Sequence, residues 1–356
     1  MLLLAKSLSF LLDDAAHIGD GGRLLLQLST HLMEDGLPII AGALAQDAPD
    51  PIISRRIWLW RASGGEVVEG LGIGADRQNA DPRLVLREWL GTTRAIVFDE
   101  RAGGVAPTLV WAFDHTPDEA QSELLRQISR FAAAPMTALA ERSAKRALLE
   151  AYLGKRSAAH VLNGHARRVK GETIRAALLC ADLRGFTDLS EVHDADEIVL
   201  VLDAWFDCVA GAVHAFGGEV LKFIGDGVLA IFPIGERDAN AACDAAVRAV
   251  KATRAGIDHL NQTRRRNGGP ELGYGIGLHV GEILWGNIGT AGRLDFTAIG
   301  KAVNLVSRIE GLCKPLGRTV LASTVFEAET TERMIAMGSH PLGGIAGAQT
   351  LFGLPE

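Results

Sequence analysis

The sequence predicts an α+β protein of two domains, the second with the element order β-α-β-β-α-β. Its 356 residues are enough for two domains of ordinary size. Hydrophobic residues make up 48% of the chain and charged residues 22%, a composition that allows a packed core in each domain. From about residue 172 onward, short apolar runs alternate with helical patterns, and this alternation sets the element order.

The N-terminal part mixes helical and strand patterns, separated by loops rich in Gly, Asp and Pro. Helices are predicted over 2–12 and 22–34, and strands over 37–45, 55–62, 94–100 and 107–113. Trp58, Trp60 and Trp111 lie on the strand patterns, where they face either a core or a ligand pocket. These patterns predict a smaller α+β domain over residues 1–135.

A helical segment follows this domain. Thr116 is a predicted N-cap, and Pro117 suits the first helical position. Pro135 predicts an interruption, after which a second helix covers about 136–153. Residues 136–171 are therefore a predicted helical linker. It is either a connector packed on the N-terminal domain or a helix through which the chain dimerises, and the sequence leaves both open.

The C-terminal domain is predicted over 172–356. It begins with a nearly continuous apolar run, which is typical of a strand buried on both faces. Asp-Gly between two apolar runs predicts a β-hairpin. The predicted elements are a strand over 174–183, a helix over 194–216, a hairpin within 217–233, a helix over 237–262, two strands within 273–289 and a helix after Gly300. This order implies a ferredoxin-like βαββαβ sheet with its helices on one face.

Two aspartates lie where this topology brings strand ends together. Asp182 ends the first predicted strand, and Asp226 lies in the hairpin turn. Two close carboxylates repel unless a cation lies between them, and Mg²⁺ or Mn²⁺ prefers oxygen ligands and phosphates. The pair therefore predicts a metal site. Taken singly, Asp182 could instead cap the following turn and Asp226 could be only a turn residue.

Two further groups suit phosphate chemistry. Gly185 and Thr187 follow Asp182 just before a helix, where free backbone N–H groups bind phosphates. Asn304 and Arg308 are four apart on a predicted helix and share one face. The arginine offers a planar fork for charge that develops on a phosphoryl group. The alternative for this pair is an ordinary surface contact.

Charge and cysteine usage exclude other classes of function. The net charge of −7 gives no basic field for a nucleic acid, and 264–266, Arg-Arg-Arg, is expected to be a solvated loop. Four widely spaced cysteines lack zinc-site spacing and favour a reducing compartment. The first residues fit an amphipathic helix better than a signal peptide, and no apolar run reaches 18 residues. We therefore expect a cytoplasmic chain without a membrane span.

Three long motifs resemble the catalytic domain of class III adenylate and guanylate cyclases. They are ALLCADLRGFTDLSE at 177–191, GGEVLKFIGDGVLAIFP at 217–233, and GLHVGEILWGNIG with RLDFTAIGKAVNLVSRIEGLCK within 277–314. Their order and spacing extend the similarity over about 172–353. The resemblance implies that ATP is cyclised to cyclic AMP and pyrophosphate with two Mg²⁺ or Mn²⁺ ions per site.

The resemblance also implies a role for each matching residue. Metal binding falls to Asp182, Asp226 and the backbone carbonyl of Leu183. Base reading falls to Lys222 and Thr297, a pairing similar to the subgroup called class IIIb, some of whose members respond to bicarbonate. Asn304 orients the ribose and Arg308 stabilises the transition state. Apart from the resemblance, triphosphate binding is expected of Arg184, Gly185, Phe186 and Thr187, since the segment 340–354 has no lysine for it.

The base readers favour ATP over GTP. Lys222 is a donor that suits the N1 acceptor of adenine, and the Thr297 hydroxyl accepts from the amino group. In the family, one subunit supplies the metal ligands and the other supplies the base readers, Asn and Arg. The resemblance therefore implies a homodimer with two shared sites. The N-terminal domain resembles GAF-type sensor domains and implies a small-molecule regulator.

Two departures from the family pattern qualify this assignment. Lys301 replaces an acid that is frequent in this motif, and the segment 340–354 lacks the lysine that some members use to bind triphosphate. The alternatives are a guanylate cyclase, a non-catalytic nucleotide-binding regulatory module and a structural dimerisation protein. A diguanylate cyclase would require a GG[DE]EF turn, whereas this chain has IGDGV at 224–228.

Overall fold

A computed structural model describes residues 4–48, 53–73, 81–91, 96–98, 108–165, 171–235, 238–290, 293–345 and 347–355. The chain divides into two compact units, Met1–Tyr152 and Leu153–Glu356. Each unit has its own sheet and its own core. Both are mixed α and β structures, so the predicted α+β class is confirmed.

The N-terminal unit contains one antiparallel sheet in the order β3-β2-β1-β5-β4. Its strands are β1 Ile39–Asp47, β2 Ile53–Arg61, β3 Val67–Ile73, β4 Ile96–Phe98 and β5 Thr108–Phe113. Its helices are α1 Lys6–Asp13, α2 Gly21–Glu34, α3 Pro82–Leu90 and α4 Glu119–Leu153. The sequence prediction missed β3 and α3. The predicted strand at 94–100 is described only over β4, since its flanks lie outside the described residues.

The three tryptophans of this unit belong to its core. Trp58, Trp60 and Trp111 are buried and pack with α1, α2 and α4 on one face of the sheet. Smaller side chains of β1 meet α3 on the opposite face. Burial on both faces explains why β1 reads as an almost continuous apolar run.

The prediction of a helix break at Pro135 is wrong. α4 runs unbroken through that residue for 35 residues. Pro135 and the next residue, Met136, are buried, as are Ile128 and Leu139. Packing of this apolar face offsets the missing backbone hydrogen bond, whose loss in an exposed helix would cost about 3 kcal/mol.

The C-terminal unit holds an eight-stranded sheet among the described residues. Its strands are β6 Glu172–Arg184, β7 Glu219–Ile224, β8 Gly227–Pro233, β9 Gly273–Thr290, β10 Arg293–Ile299, β11 Val320–Ser323, β12 Ile335–Pro341 and β13 Ala348–Gly353. Its helices are α5 Lys155–His160, α6 Phe186–Val192, α7 Ala195–Ala215, α8 Ala239–Arg266, α9 Lys301–Glu310 and α10 Thr324–Ala328.

The strand order in this sheet is β12-β13-β11-β9-β6-β8-β7, with β10 paired to β9. β6 lies between β9 and β8 and is antiparallel to both. The four strands of the predicted βαββαβ unit are therefore adjacent, and the first is central, as in a ferredoxin-like sheet. This arrangement places the end of β6 beside the β7–β8 hairpin.

The expectation that the helices cover one face is wrong for α9. One face packs against α7 and α8 through Trp205, Val209 and Val247. The opposite face packs against α9 through Ala302 and Val306. Successive residues of β6 alternate between these two cores, because neighbouring side chains on a strand point to opposite faces.

The segment 273–289 is one long strand, β9, and not the two strands that its glycines predict. A Cβ at Gly277 would lie 2.5 Å from the carbonyl oxygen of Val306, and one at Gly281 would lie 2.6 Å from Cβ of Ala302. These glycines therefore allow α9 to approach the sheet and do not mark a turn. The second half of β9 pairs with β10 in a hairpin.

Two other features of this unit are the basic run at the end of α8 and the apolar helix α7. The basic run 264–266 is the last turn of α8 and not a loop, and cations at a helix C-terminus interact favourably with its dipole. Among the described helices, α7 is long and apolar enough to cross a membrane by length and composition alone. It packs on the sheet through Trp205, Val209 and Val213.

Candidate active site

Asp182 lies near the end of the central strand β6, opposite Gly275 of β9. The strand ends at Arg184, and Gly185 then adopts a φ of +71°, which favours glycine. The chain turns there into α6, where Phe186 is partly buried against the core and Thr187 is exposed. Leu183 is buried in the same core. The fold therefore fixes the backbone on both sides of Asp182.

Asp226 lies in the turn between β7 and β8, as the sequence predicts. Ile224 pairs with Gly227, so that Gly225 and Asp226 form the turn, and Gly225 has a φ of +63°. The indole Nε1 of Trp205 donates a hydrogen bond of 2.8 Å to the carbonyl oxygen of Asp226. A core tryptophan thus holds the turn in place.

The carboxyl group of Asp226 lies close enough to that of Asp182 to raise its pKa. Burial, the hydrogen bond with Asp226 and the nearby negative charges together raise the pKa of Asp182 to about 7. A Cβ at position 227 would lie 3.5 Å from Oδ1 of Asp182 and 3.1 Å from the carbonyl oxygen of Ile224, so a glycine there leaves space beside the pair. The strand pairing places the end of β6 beside the turn that contains Asp226, as the topology predicts.

Glu310, which the sequence prediction missed, adds a third acid beside this pair. It is the last residue of α9 and is partly buried. Burial raises the pKa of its carboxyl group, the positive charge of Arg184 lowers it, and the negative charge of Asp226 raises it. Spacing alone could not find Glu310, because its position depends on the close approach of α9 to β9.

Arg184 turns toward this acidic group. Its guanidinium donates a hydrogen bond to the carbonyl oxygen of Arg318, and its charge acts on Glu310. Its Nε atom is buried without a hydrogen-bond partner among the described residues. The arginine therefore lies near Glu310, and its Nε donor is unpaired among the described residues.

The acidic pair fits a divalent cation. Two neighbouring carboxylates create negative charge that a hard cation would neutralise, and a backbone hydrogen bond from Leu183 to Asp182 favours the charged form of that carboxyl group. Among the described residues, no group of three or more His, Cys, Asp or Glu side chains has the geometry of a metal site. A cation held by two carboxylates would take its remaining ligands from phosphate and water.

Lys222 and Thr297 lie in a second polar group. Lys222 on β7 forms an ion pair with Asp295 on β10, two residues before Thr297. Phe296 and Ala298 are buried in the core on the other face of β10. Asp295 and Thr297 therefore share the face of β10 that meets Lys222. Asp295 is a second residue that the sequence prediction missed.

Asn304 and Arg308 occupy one exposed stripe of α9. The other side of the helix carries Ala302, Val306 and Ile309, which are buried. The amphipathic pattern explains why the two polar residues, four apart, point the same way. Both are available to a molecule outside this chain.

Residues 170–335 match the sequence profile of the adenylate and guanylate cyclase catalytic domain. The matched region contains the acidic pair, the Lys222–Thr297 group and the exposed stripe of α9. The site therefore lies in a region that is similar to an adenylate and guanylate cyclase catalytic domain.

Curated relatives match about two fifths of this chain. An adenylate cyclase of Anabaena cylindrica is 37% identical over 149 residues, which are 42% of this chain and 29% of that protein. Adenylate cyclase 1 of Rhizobium meliloti is 35% identical over 151 residues, which are 42% of this chain and 22% of that protein. The chain thus spans less than a third of the length of these relatives.

A solved structure extends the likeness in three dimensions. A bacterial light-regulated adenylyl cyclase is 25% identical, with a TM-score of 0.51, and the match covers 68% of this chain and 66% of that one. The likeness supports the cyclase fold of the C-terminal unit.

Proposed function

We propose that this chain is an adenylate cyclase that converts ATP into 3′,5′-cyclic AMP and pyrophosphate in a homodimer. The observation that carries the proposal is the position of Asp182, at the end of β6, beside the β7–β8 turn that contains Asp226. The names of the two curated relatives, both adenylate cyclases, support the same activity.

Asp182, Asp226 and the carbonyl of Leu183 are the proposed ligands for two Mg²⁺ or Mn²⁺ ions. When bound, such ions stabilise negative charge on a triphosphate and lower the pKa of a ribose hydroxyl. The two side chains hold the reacting end of the substrate against β6 and the hairpin turn. Because the backbone is fixed on both sides of each aspartate, little reorganisation accompanies the reaction.

The triphosphate is proposed to lie along the loop after β6. The backbone N–H groups of Gly185, Phe186 and Thr187 lie where a short helix begins and are suited to phosphate oxygens. Arg184 adds a cation near the acidic pair, which supports a contact with the same phosphates. These groups donate hydrogen bonds to phosphate oxygens. They take the place of a lysine, which the segment 340–354 does not contain.

The transition state is proposed to form between the acidic pair and α9 of the second protomer. Asn304 orients the ribose, so that its 3′-oxygen attacks the α-phosphorus in line with the leaving pyrophosphate. Arg308 donates hydrogen bonds to the phosphoryl oxygens as their charge grows. Both side chains are exposed on a rigid helix, and their exposure supports this role.

Adenine is proposed to lie between Lys222 and Thr297. The ammonium donates to N1 of adenine, and the threonine hydroxyl accepts from the amino group. Guanine carries a hydrogen at N1, so Lys222 would meet a donor there. The pairing is similar to class IIIb cyclases and favours ATP.

The exposed apolar residues near the hairpin support a homodimer. Phe223 and Ile224 at its tip are 48% and 61% exposed, and Leu200 of α7 is 70% exposed. Lys222 and Asp226 flank the same tip. A second copy that covers this surface would bring its own α9 to the acidic pair and form two equivalent sites.

Regulation is proposed to come from the N-terminal unit, as a GAF-like sensor of a small molecule, or from bicarbonate acting on the catalytic unit. Most of helix α4, Glu119–Leu153, belongs to this unit, and the catalytic unit follows it in the chain. We propose a cytoplasmic location, because all four cysteines are free thiols, as expected in a reducing compartment.

The experiment is a product assay on the purified full chain. Incubation with ATP and Mn²⁺ or Mg²⁺ should yield cyclic AMP, whereas GTP in a parallel reaction should yield much less cyclic GMP. Product from GTP alone would indicate a guanylate cyclase. Binding of ATP without any cyclic product would indicate a non-catalytic nucleotide-binding module.

A further inference from the structure

An ion pair links the two strands that carry the proposed base readers. Nζ of Lys222 on β7 contacts the carboxylate of Asp295 on β10, across 73 residues of sequence. β7 pairs with β8, and β10 pairs with β9, so these two strands are not hydrogen-bonded neighbours. The link between them at this point is made by side chains.

The carboxylate lies on the same face as the second base reader. Asp295 and Thr297 are two apart on β10, and the residue between them, Phe296, is buried in the core. Residues two apart on a strand point to the same side. The ammonium of Lys222, the carboxylate of Asp295 and the hydroxyl of Thr297 therefore form one polar group.

We propose that Asp295 is a positioning residue for base recognition, and that its carboxylate holds the ammonium of Lys222 where the purine docks. The inference rests on the proposed function, in which Lys222 donates to N1 of adenine. Asp295 acts through Lys222 and adds a specificity determinant to the site.

The chemistry of the lysine side chain supports this role. An ammonium has three donors, so one hydrogen bond to Asp295 leaves two for a base. Its four-carbon stem is flexible, and an anchored ammonium loses less freedom when the nucleotide binds. A free ammonium would also reach the carbonyl oxygen of guanine, which weakens discrimination.

Stability does not account for the pair. The side chains of Lys222 and Asp295 are 40% and 50% exposed. Ion pairs with such exposure contribute little to folding, since water screens them and ordering two side chains is unfavourable. The placement of the pair beside Thr297 is therefore better explained by ligand recognition.

The test is a double-mutant cycle on the full chain, with Asp295→Asn, Lys222→Met and both together. Initial rates with ATP and with GTP give kcat and KM for each nucleotide, and the linear range at low nucleotide gives kcat/KM where saturation is not reached. Asp295→Asn should raise KM for ATP about three- to fivefold, with kcat changed less than about twofold. It should also lower the ratio of kcat/KM for ATP over GTP. In the Lys222→Met background it should have no further effect.

Two controls separate positioning from a general loss of structure. Glu332→Gln breaks the exposed Lys251–Glu332 ion pair of the same unit and should leave both nucleotide constants unchanged. Asp295→Glu keeps the carboxylate and should retain most of the ATP preference.

Three results would overturn the inference. One is an unchanged or lower KM for ATP in Asp295→Asn. Another is a full effect of Asp295→Asn when Lys222 is already methionine. The third is an absence of cyclic AMP from the wild-type chain, which also overturns the proposed function, whereas the first two leave that function intact.

Discussion

At the scale of single residues, the proposed chemistry depends on two carboxyl groups that the fold brings into contact. The hydrogen-bonded end of β6 fixes Asp182, and a two-residue turn held by Trp205 fixes Asp226. Their contact is unfavourable while both are charged, as the raised pKa of Asp182 indicates. A cation bound between the two carboxyl groups neutralises their repulsion and therefore stabilises the charged pair.

Asp182→Asn should therefore separate activity from stability. Cyclic AMP formation should fall at least about a hundredfold, because an amide is a poor ligand for a hard cation. The melting temperature without metal should equal or exceed that of the wild type, because the substitution removes one of two neighbouring negative charges. Turnover near the wild-type rate would rule out the metal role of Asp182.

His279 predicts a pH dependence of folding. It is buried on β9, where its Nδ1 lies 2.8 Å from Oγ of Ser323, and burial lowers its pKa from 6.5 to about 4. The unfolded chain then binds more protons than the folded chain between pH 4 and 6.5. Stability should rise with pH across this window and fall as acid is added, by about 3 kcal/mol in all.

Urea unfolding at several pH values checks this, with His279→Gln as the variant. The variant should lose much of the slope between pH 4 and 6.5, since glutamine does not titrate. His259→Gln, at an exposed position of α8, is the matched control and should keep the slope. Equal slopes in wild type and His279→Gln would contradict the assignment of the effect to His279.

The sequence predicts some of the acidic residues near the candidate site and misses others, for a physical reason. Asp182 and Asp226 could be predicted, because one ends a strand and the other lies in a short hairpin turn, and both positions follow from local patterns. Glu310 and Asp295 could not be predicted. Each reaches its neighbours through an approach of two elements, α9 to β9 and β10 to β7, that the spacing of apolar residues does not encode.

At the scale of elements, the packing of α9 on β9 determines where the exposed stripe of Asn304 and Arg308 lies. Gly277 and Gly281 leave no side chain between the helix and the strand. The sequence prediction took the glycines of 273–289 as turn signals and split β9 in two. Glycine favours turns and close packing for the same reason, the absence of Cβ, and local sequence does not distinguish the two.

Gly277→Ala should displace α9. Its Cβ would lie 2.5 Å from the carbonyl oxygen of Val306 and 2.7 Å from the backbone nitrogen of Glu310, so backbone must move. We expect a loss of about 1–3 kcal/mol in the free energy of unfolding, together with a lower kcat, because α9 carries Asn304 and Arg308.

Gly211→Ala is the matched control for this substitution. Gly211 lies inside α7 with nothing within 4 Å of a Cβ, so alanine should stabilise the helix by about 0.5–1 kcal/mol. Urea unfolding and initial rates measure both variants. An active, fully stable Gly277→Ala would show that α9 tolerates a wider separation from the sheet.

Helix α4 is a second element that differs from the sequence prediction. Proline normally ends a helix, and the sequence prediction placed a break at Pro135. The structure keeps the helix intact, because Pro135 and its neighbours are buried against the core of the N-terminal unit. Tertiary packing outweighed a local preference that is among the strongest known.

At the scale of the whole molecule, one chain contains both kinds of residue in the proposed site. The acidic pair lies at the end of β6, and the stripe of Asn304 and Arg308 is exposed on α9. The exposed apolar tip of the hairpin favours a second copy as the partner that joins them. In the proposed function, the N-terminal unit regulates catalysis by changing how closely two catalytic units approach.

Complementation between two inactive variants tests whether each site is formed by residues of two protomers. Asp182→Asn and Arg308→Ala chains are each expected to lack activity as homodimers. Mixed in equal amounts and allowed to exchange, half of the dimers hold one intact site, so cyclic AMP formation should recover to about a quarter of the wild-type rate. No recovery, in a mixture shown to exchange subunits, would contradict a site shared between two copies of this chain.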